Sequence, residues 1–165
     1  MTPPADYVIG AGDVLTVTYW RDKDMTGDYI VRPDGKITLP LVNDVEAIGL
    51  TPDQLKDRLL KASAKMFVDP SITVGLKEIN SRKVYITGGV QKPGPYDLLA
   101  PMTVLQLIST AGSLSEFVDG KNIVIIRNEG GKQTSFKFNY KEVTAGKRLE
   151  QNILLKPGDT VSVPE

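Results

Sequence analysis

Two pairs of carboxylates in this chain have spacings that acid–base chemistry can use. Asp53 and Asp57 lie four residues apart in a helical stretch and so share one face, while Asp22 and Asp24 flank Lys23. Such pairs serve as acid and base at a glycosidic bond when their surroundings separate their pKa values. The chain has no histidine and no cysteine. That removes the usual proton shuttle, the thiol nucleophile and the commonest transition-metal ligands, and it excludes hydrolytic triads. Asp53 falls in the first turn of the predicted helix, where a carboxylate complements the dipole, and Asp57 is spaced to pair with Lys61. Both are structural uses, so no catalytic residue is assigned. A lyase or hydrolase would show cleavage lost on Asp53→Asn or Asp57→Asn, and no cleavage is expected.

Gly10-Ala11-Gly12 lacks the helix start and the Lys-Ser/Thr that cradle a phosphate, so nucleotide binding is not supported and no cofactor is expected. A second glycine phrase is more informative. Gly12-Asp13-Val14-Leu15-Thr16-Val17 is echoed by Gly158-Asp159-Thr160-Val161-Ser162-Val163: a glycine turn delivers Asp before an alternating strand. The aspartates suit capping of free backbone amides; a calcium loop would need several more oxygen ligands in sequence, and no metal site is assigned. Trp20, Tyr19 and Tyr29 have the chemistry of a sugar-stacking face. Tyr19 and Trp20 are adjacent on one strand, however, and point to opposite sides of it, so core or interface packing is expected of them.

Around these residues the chain must fold into β-rich units. At 165 residues it accommodates one ordinary domain or two of roughly 80 residues. The 15 glycines and 11 prolines point to many turns. Twenty basic and twenty acidic residues cancel, which argues against nucleic acid as a partner. The halves differ: residues 1–80 carry 9 Lys/Arg against 12 Asp/Glu, net −3, and residues 81–165 carry 11 against 8, net +3. No apolar run reaches the length of a membrane-spanning helix, and Met1-Thr2-Pro3-Pro4 has no signal-peptide character.

Val14 to Trp20 reads as a strand. Val31 to Pro40 reads as a strand–turn–strand phrase, a hairpin turned at Pro33-Asp34-Gly35. At Thr51 a helix begins, with Thr51 as N-cap, Pro52 in the first turn, Gln54 closing a capping box and Leu50 and Leu55 as a staple. Leu55, Leu59, Ala62 and Met66 then form its apolar stripe, Pro70 stops its register, and Ser71 to Leu76 is a strand. The second half repeats this grammar. Val84 to Val90 is a β-branched strand turned at Pro93-Gly94, Thr103 and Gln106 cap a second helix, and Gly112 ends it. Ile123 to Arg127 and Ser135 to Phe138 flank the turn Glu129-Gly130-Gly131-Lys132. The predicted fold class is α+β in two small domains, each β-rich with one helix, at residues 6–78 and 81–164.

These phrases, in this order, resemble the bacterial polysaccharide export family, in which an export domain precedes a soluble-ligand-binding β-grasp domain. Residues 6–76 resemble the export domain through Tyr7 to Leu15, Pro33-Asp34-Gly35-Lys36-Ile37, Gly49-Leu50-Thr51 and Val68-Asp69-Pro70. Residues 81–163 resemble the β-grasp domain through Val84 to Val90, Pro93-Gly94-Pro95-Tyr96, Thr103 to Ile108, Ala111-Gly112 and Leu155 to Asp159. Two departures stand out: the family commonly has an acid where Gly89 lies, and a double glycine where this chain has Gly112-Ser113.

The resemblance implies a non-enzymatic periplasmic component of capsule or exopolysaccharide export, associated with the outer membrane in some members. It implies a homo-oligomer, a ring being one form, an inner-membrane copolymerase below it, a separate outer-membrane channel, and the polysaccharide in transit. Larger members carry a further β-grasp repeat and an amphipathic helix that builds a pore, and this chain stops at Glu165. The surfaces first expected to carry contacts are Pro33, Asp34, Gly35 and Lys36, and Gly88, Pro93, Gly94 and Tyr96. The alternative is a monomeric module that holds a small molecule or glycan in a cleft beside the β-grasp helix.

Overall fold

A computed structural model describes residues 3–165. Contacts divide the chain into two compact units that meet in sequence at Ser81 and Arg82, and each is α+β.

The first unit is built on strand β1 (Val14–Tyr19), which pairs antiparallel with β2 (Asp22–Ile30) on one side and with β5 (Ile72–Glu78) on the other. Between them lie the small sheet of β3 (Lys36–Leu39) with β4 (Asn43–Glu46) and the helix α1 (Pro52–Ser63). Alternation along β1 sends Leu15, Val17 and Tyr19 into a core with Ile37, Leu39, Leu55, Leu59 and Ile72.

The Thr51 cap is present with both bonds of its box, Thr51 N–H to Gln54 Oε1 at 3.0 Å and Gln54 N–H to Thr51 Oγ1 at 3.2 Å. Pro52 stands in the first turn and Leu55 and Leu59 face inward as expected, and the far end of the helical reading is corrected. α1 ends at Ser63, seven residues before Pro70, and Met66 lies beyond it, 49% exposed. Its inward stripe is Leu55, Leu59 and Ser63. Ser63 is fully buried because its hydroxyl meets the Tyr19 hydroxyl at 2.7 Å, so a polar residue takes the inward place that the periodicity gave to Met66, while Ala62 is partly buried against the core as expected. No ion pair joins Asp57 to Lys61 among the described residues.

Burial pushes the Tyr19 phenol up; the Ser63 bond opposes this and the nearby Asp22 adds to it. A phenol with a raised folded pKa makes its full contribution below the unfolded value of about 10 and loses it as pH climbs toward the folded value. The urea midpoint of the first unit is therefore expected to fall steeply above that pH, with Tyr19→Phe flattening the slope. A profile identical in both proteins contradicts this.

The hairpin expected at Pro33-Asp34-Gly35 does not form as such. The turn is there, with Gly35 N–H donating to Arg32 O at 2.8 Å, but β3 pairs with β4 rather than with β2. Val31 is already bonded to Gly12 and Asp13, and the amides of Ala47 and Ile48 both reach the Gly35 carbonyl, at 2.9 and 3.0 Å. β3 is thereby directed to the strand that follows it.

The second unit is one five-stranded mixed sheet, ordered β7 (Gly94–Asp97), β6 (Lys83–Gly88), β10 (Thr160–Val163), β8 (Ile123–Glu129), β9 (Lys132–Phe138). β10 is central and runs parallel to β6. Val104, Leu107, Ile108 and Ala111 of α2 (Val104–Thr110) and its cap share a buried cluster with Val84, Ile86, Ile123, Ile125, Val161 and Val163 of the sheet. This is the grip of a β-grasp. Gly130 and Gly131, both at positive φ, form the expected two-residue turn between Glu129 and Lys132. One helix per unit is an undercount here, because α3 (Tyr140–Thr144), capped by Asn139, adds a second.

α2 ends in a Schellman motif: Gly112 N–H donates to Ser109 O at 3.1 Å and Ser113 N–H to Ile108 O at 2.9 Å. Gly112 has φ +87, as expected, but Ser113 is also left-handed, at φ +67. The departure from a double glycine thus places a side chain where backbone sterics disfavour one. Ser113→Gly is expected to raise stability by about 0.5–1 kcal/mol, read as an upward shift of the thermal midpoint. A downward shift would contradict the assignment of strain.

Candidate interaction surface

The echoed aspartates fold their neighbourhoods rather than offer chemistry. Asp13 is fully buried. Its Oδ2 accepts from the Tyr7 hydroxyl, from Gly10 N–H at 3.0 Å and from the Ser81 hydroxyl at 2.9 Å; its Oδ1 accepts from the amides of Asn80 and Ser81 at 2.7 and 2.8 Å. Asp159, 1% exposed, accepts from Lys156 N–H at 2.8 Å and from the Arg127 guanidinium, Nε at 3.0 Å and Nη2 at 2.8 Å. That fork raises the Arg127 pKa further above its ordinary value. Amide capping explains both aspartates. The Arg127 partner, 32 residues away, is an addition that the local phrase did not contain. Gly12 at φ +87 and Gly158 at φ +90 give the two turns the same handedness.

Asp53 and Asp57 lie on the exposed face of α1. Neither is enclosed in a way that would set a pair of carboxyl groups apart for acid–base work.

Of the expected contact residues, Pro33, Asp34 and Lys36 are exposed and Gly35 is buried. They border a network across the β3–β4 sheet. Arg32 Nη2 lies 2.7 Å from Asp34 Oδ2 and Nη1 lies 2.9 Å from Asp44 Oδ1, and the Thr38 hydroxyl donates to Asp44 at 2.7 Å. The Thr38 bond and then the Arg32 guanidinium hold the Asp44 carboxyl below its usual range. Gly35 has a conformational role: it sits at φ +85, and a Cβ there would press on the Ile48 side chain.

The remaining four lie on the β6–β7 hairpin of the second unit. Its register sets Ile86 against Gly94 and Val84 against Tyr96, so the reversal occupies residues 87–93; Pro93 ends it and Gly94 is the first residue of β7, and the expected Pro93-Gly94 turn is the last step of a longer loop. Pro93 is exposed; Tyr96 is half-buried and its hydroxyl straps the loop through Lys92 O at 2.5 Å. Gly88, at φ +94, backs onto the Val163 carbonyl so closely that any Cβ would overlap it. The neighbouring departure has a packing reason: a Cβ on Gly89 would lie 2.6 Å from Val118 Cγ2, so an acid in that position needs the space that Val118 fills.

An open groove of about 560 Å³ runs beside α2, lined by residues that include Leu99, Pro101, Met102, Gln106 and Thr110. It contains none of the expected residues. The most conspicuous surface side chain of this unit also lies outside them. Phe117 is 99% exposed and held at φ +71, a conformation that bulky residues rarely adopt. Its only sequence signal is that it is the one aromatic between Ser113 and Gly120.

The comparisons with known proteins agree with this architecture. The polysaccharide biosynthesis/export protein family matches residues 1–77, and the SLBB domain matches residues 82–163. The chain thus carries a polysaccharide biosynthesis/export domain followed by an SLBB domain. It is 26% identical to the EPS I polysaccharide export outer membrane protein EpsA of Ralstonia nicotianae, over 96% of this chain and 47% of that protein. It is 34% identical to the exopolysaccharide production protein ExoF of Rhizobium meliloti, over 70% and 30% respectively. It is 29% identical to the polysialic acid transport protein KpsD of Escherichia coli, over 96% and 28%. The chain spans less than half the length of these relatives.

Proposed function

We propose that this chain is a non-enzymatic component of a machinery that carries capsular or extracellular polysaccharide to the cell surface. It works in the periplasm, beside the outer membrane, through contacts with further copies of itself, with an inner-membrane copolymerase and with a separate outer-membrane channel. The observation that carries the contact reading is Phe117, an aromatic ring held almost wholly in solvent by a strained backbone. It is the strain, not the exposure alone, that marks the ring: bulky residues held in a disfavoured backbone conformation cluster at functional surfaces. Asp13 and Asp159, locked into amide networks, and Asp53 and Asp57, spread on an open helix face, support the same reading.

Phe117→Asp is expected not to lower the thermal midpoint, since aspartate tolerates φ +71 better than phenylalanine, and to abolish both self-association on a membrane and the surface polysaccharide restored to cells that lack the gene. Full restoration by Phe117→Asp would overturn the contact role. The groove beside α2 favours a second reading, a monomeric binding module. A saturable glycan titration by a protein whose mass stays that of one chain would select it.

A further inference from the structure

The first unit has an aromatic residue that its core does not use. Tyr19 is buried and Tyr29 is half-buried against the core, whereas Trp20 is 70% exposed. Tyr19 pairs with Asp22, so Trp20 and Arg21 form a two-residue hairpin loop. Arg21 takes the left-handed conformation, φ +62, that such loops usually give to glycine or asparagine. The guanidinium carbon lies over the Trp20 ring, 5.7 Å from its centroid, and the Trp20 backbone N–H donates to Ser71 O at 2.9 Å. The backbone that carries the ring is therefore fixed, and beyond Arg21 the ring stands in solvent.

Two hollows adjoin at this loop, of about 220 and 400 Å³, and both are lined by Tyr19, Arg21 and Asp22. The smaller also takes in Trp20, Asp69 and Ser71, with Asp69 strained at φ +46. Asp22 Oδ1 accepts the amides of Asp24 and Met25, at 3.1 and 3.2 Å, which orients the carboxylate and leaves Oδ2 for another donor. Strained, non-glycine backbone at two points on the rim of one cleft is a pattern of binding sites rather than of connecting loops.

We propose that Trp20, with Arg21, Asp22 and Asp69, forms a subsite for an uncharged pyranose ring of a saccharide chain; this rests on the polysaccharide-handling function proposed above. An indole face takes the apolar C–H face of a sugar, and oriented carboxylates accept from its hydroxyls. In the smaller hollow, beside the indole, Asp22 and Asp69 stand against Arg21 alone, Lys23 lining only the larger one, so this part of the rim is net acidic and disfavours uronic and sialic acids.

Trp20 is the only tryptophan of the chain, so intrinsic emission reports this site alone. The whole protein is titrated with hexasaccharides of glucose, galactose and mannose and with hexagalacturonate. The expected result is a saturable emission change with at least one neutral chain and one at least about tenfold weaker with the acidic one. By calorimetry, Trp20→Ala is expected to weaken the neutral ligand at least about tenfold, Trp20→Phe to retain part of the affinity, and Asp69→Asn to weaken it with the indole in place. Emission unmoved by every neutral sugar at millimolar concentration overturns the subsite, as does emission that follows protein rather than sugar concentration, which marks a second copy on the ring. The export role is judged separately, by whether the wild-type gene restores surface polysaccharide. Restoration by wild type without sugar binding defeats only the subsite.

Discussion

Asp13→Asn is expected to remove most of the first unit's margin of stability while leaving the second unit intact. The aspartate is fully buried and takes five donors, and it is the charge on its oxygens that makes those bonds strong. Asparagine keeps one accepting oxygen and puts an N–H₂ on the other side. If its oxygen serves Asn80 and Ser81, the amide nitrogen faces the Gly10 N–H, and a donor meets a donor. Removing one member of a buried charged network costs about 3–5 kcal/mol, because the groups left behind stay desolvated. A small domain holds roughly 5–15 kcal/mol in total. Residue-resolved amide exchange measures the effect: Leu15, Val17 and the Asn80 and Ser81 amides should lose most of their protection, with Val84 and Ile86 unchanged. Protection retained at Asn80 and Ser81 would show that the carboxylate is dispensable.

The second large effect is expected at Gly88. Its left-handed backbone alone would cost an alanine about 1–2 kcal/mol. The further overlap is with a backbone atom, the Val163 carbonyl oxygen, which also accepts Gly89 N–H at 2.8 Å. Backbone in the middle of a sheet cannot swing aside as a side-chain tip can, so Gly88→Ala should part β6 from β10 at this end, for a total of about 3 kcal/mol or more. Gly94→Ala on the same hairpin is the control. Gly94 has φ +145, and a methyl group added there would meet nothing within 4 Å, so backbone strain of about 1–3 kcal/mol is expected without any overlap. The denaturant midpoint of Gly88→Ala should be the lower of the two. Equal midpoints, with function lost only in Gly88→Ala, would return Gly88 to the role of a contact residue.

Local codes were legible in the residues themselves. Thr51 with Gln54 and Thr103 with Gln106 specify helix starts through bonds that close within four residues, and Gly130-Gly131 specifies a turn through its two permitted φ values. The features that escaped local reading depended on distant partners. Val31 could not pair with β3 because Gly12 and Asp13 hold it, and Ser63 could be buried because Tyr19, 44 residues earlier, supplies a hydroxyl. The five residues of α3 are too few to show a helical period. For the surface, sequence distinguished Tyr19 from Trp20 by alternation, but the openness of Trp20 and Phe117 follows from what fails to cover them, which no local pattern records.

The central position of β10 governs how the second unit comes into being during synthesis. Its sheet is two hairpins, β6–β7 and β8–β9, joined only through the strand that is made last. Until Thr160 to Val163 leave the ribosome, both hairpins expose the edges meant for that strand and are open to association with other chains. The first unit is under no such delay, since β5 and the Asn80–Ser81 latch emerge some eighty residues sooner. The two halves therefore mature in succession, and a nascent chain arrested before Thr160 should carry a finished leading half and an aggregation-prone trailing one.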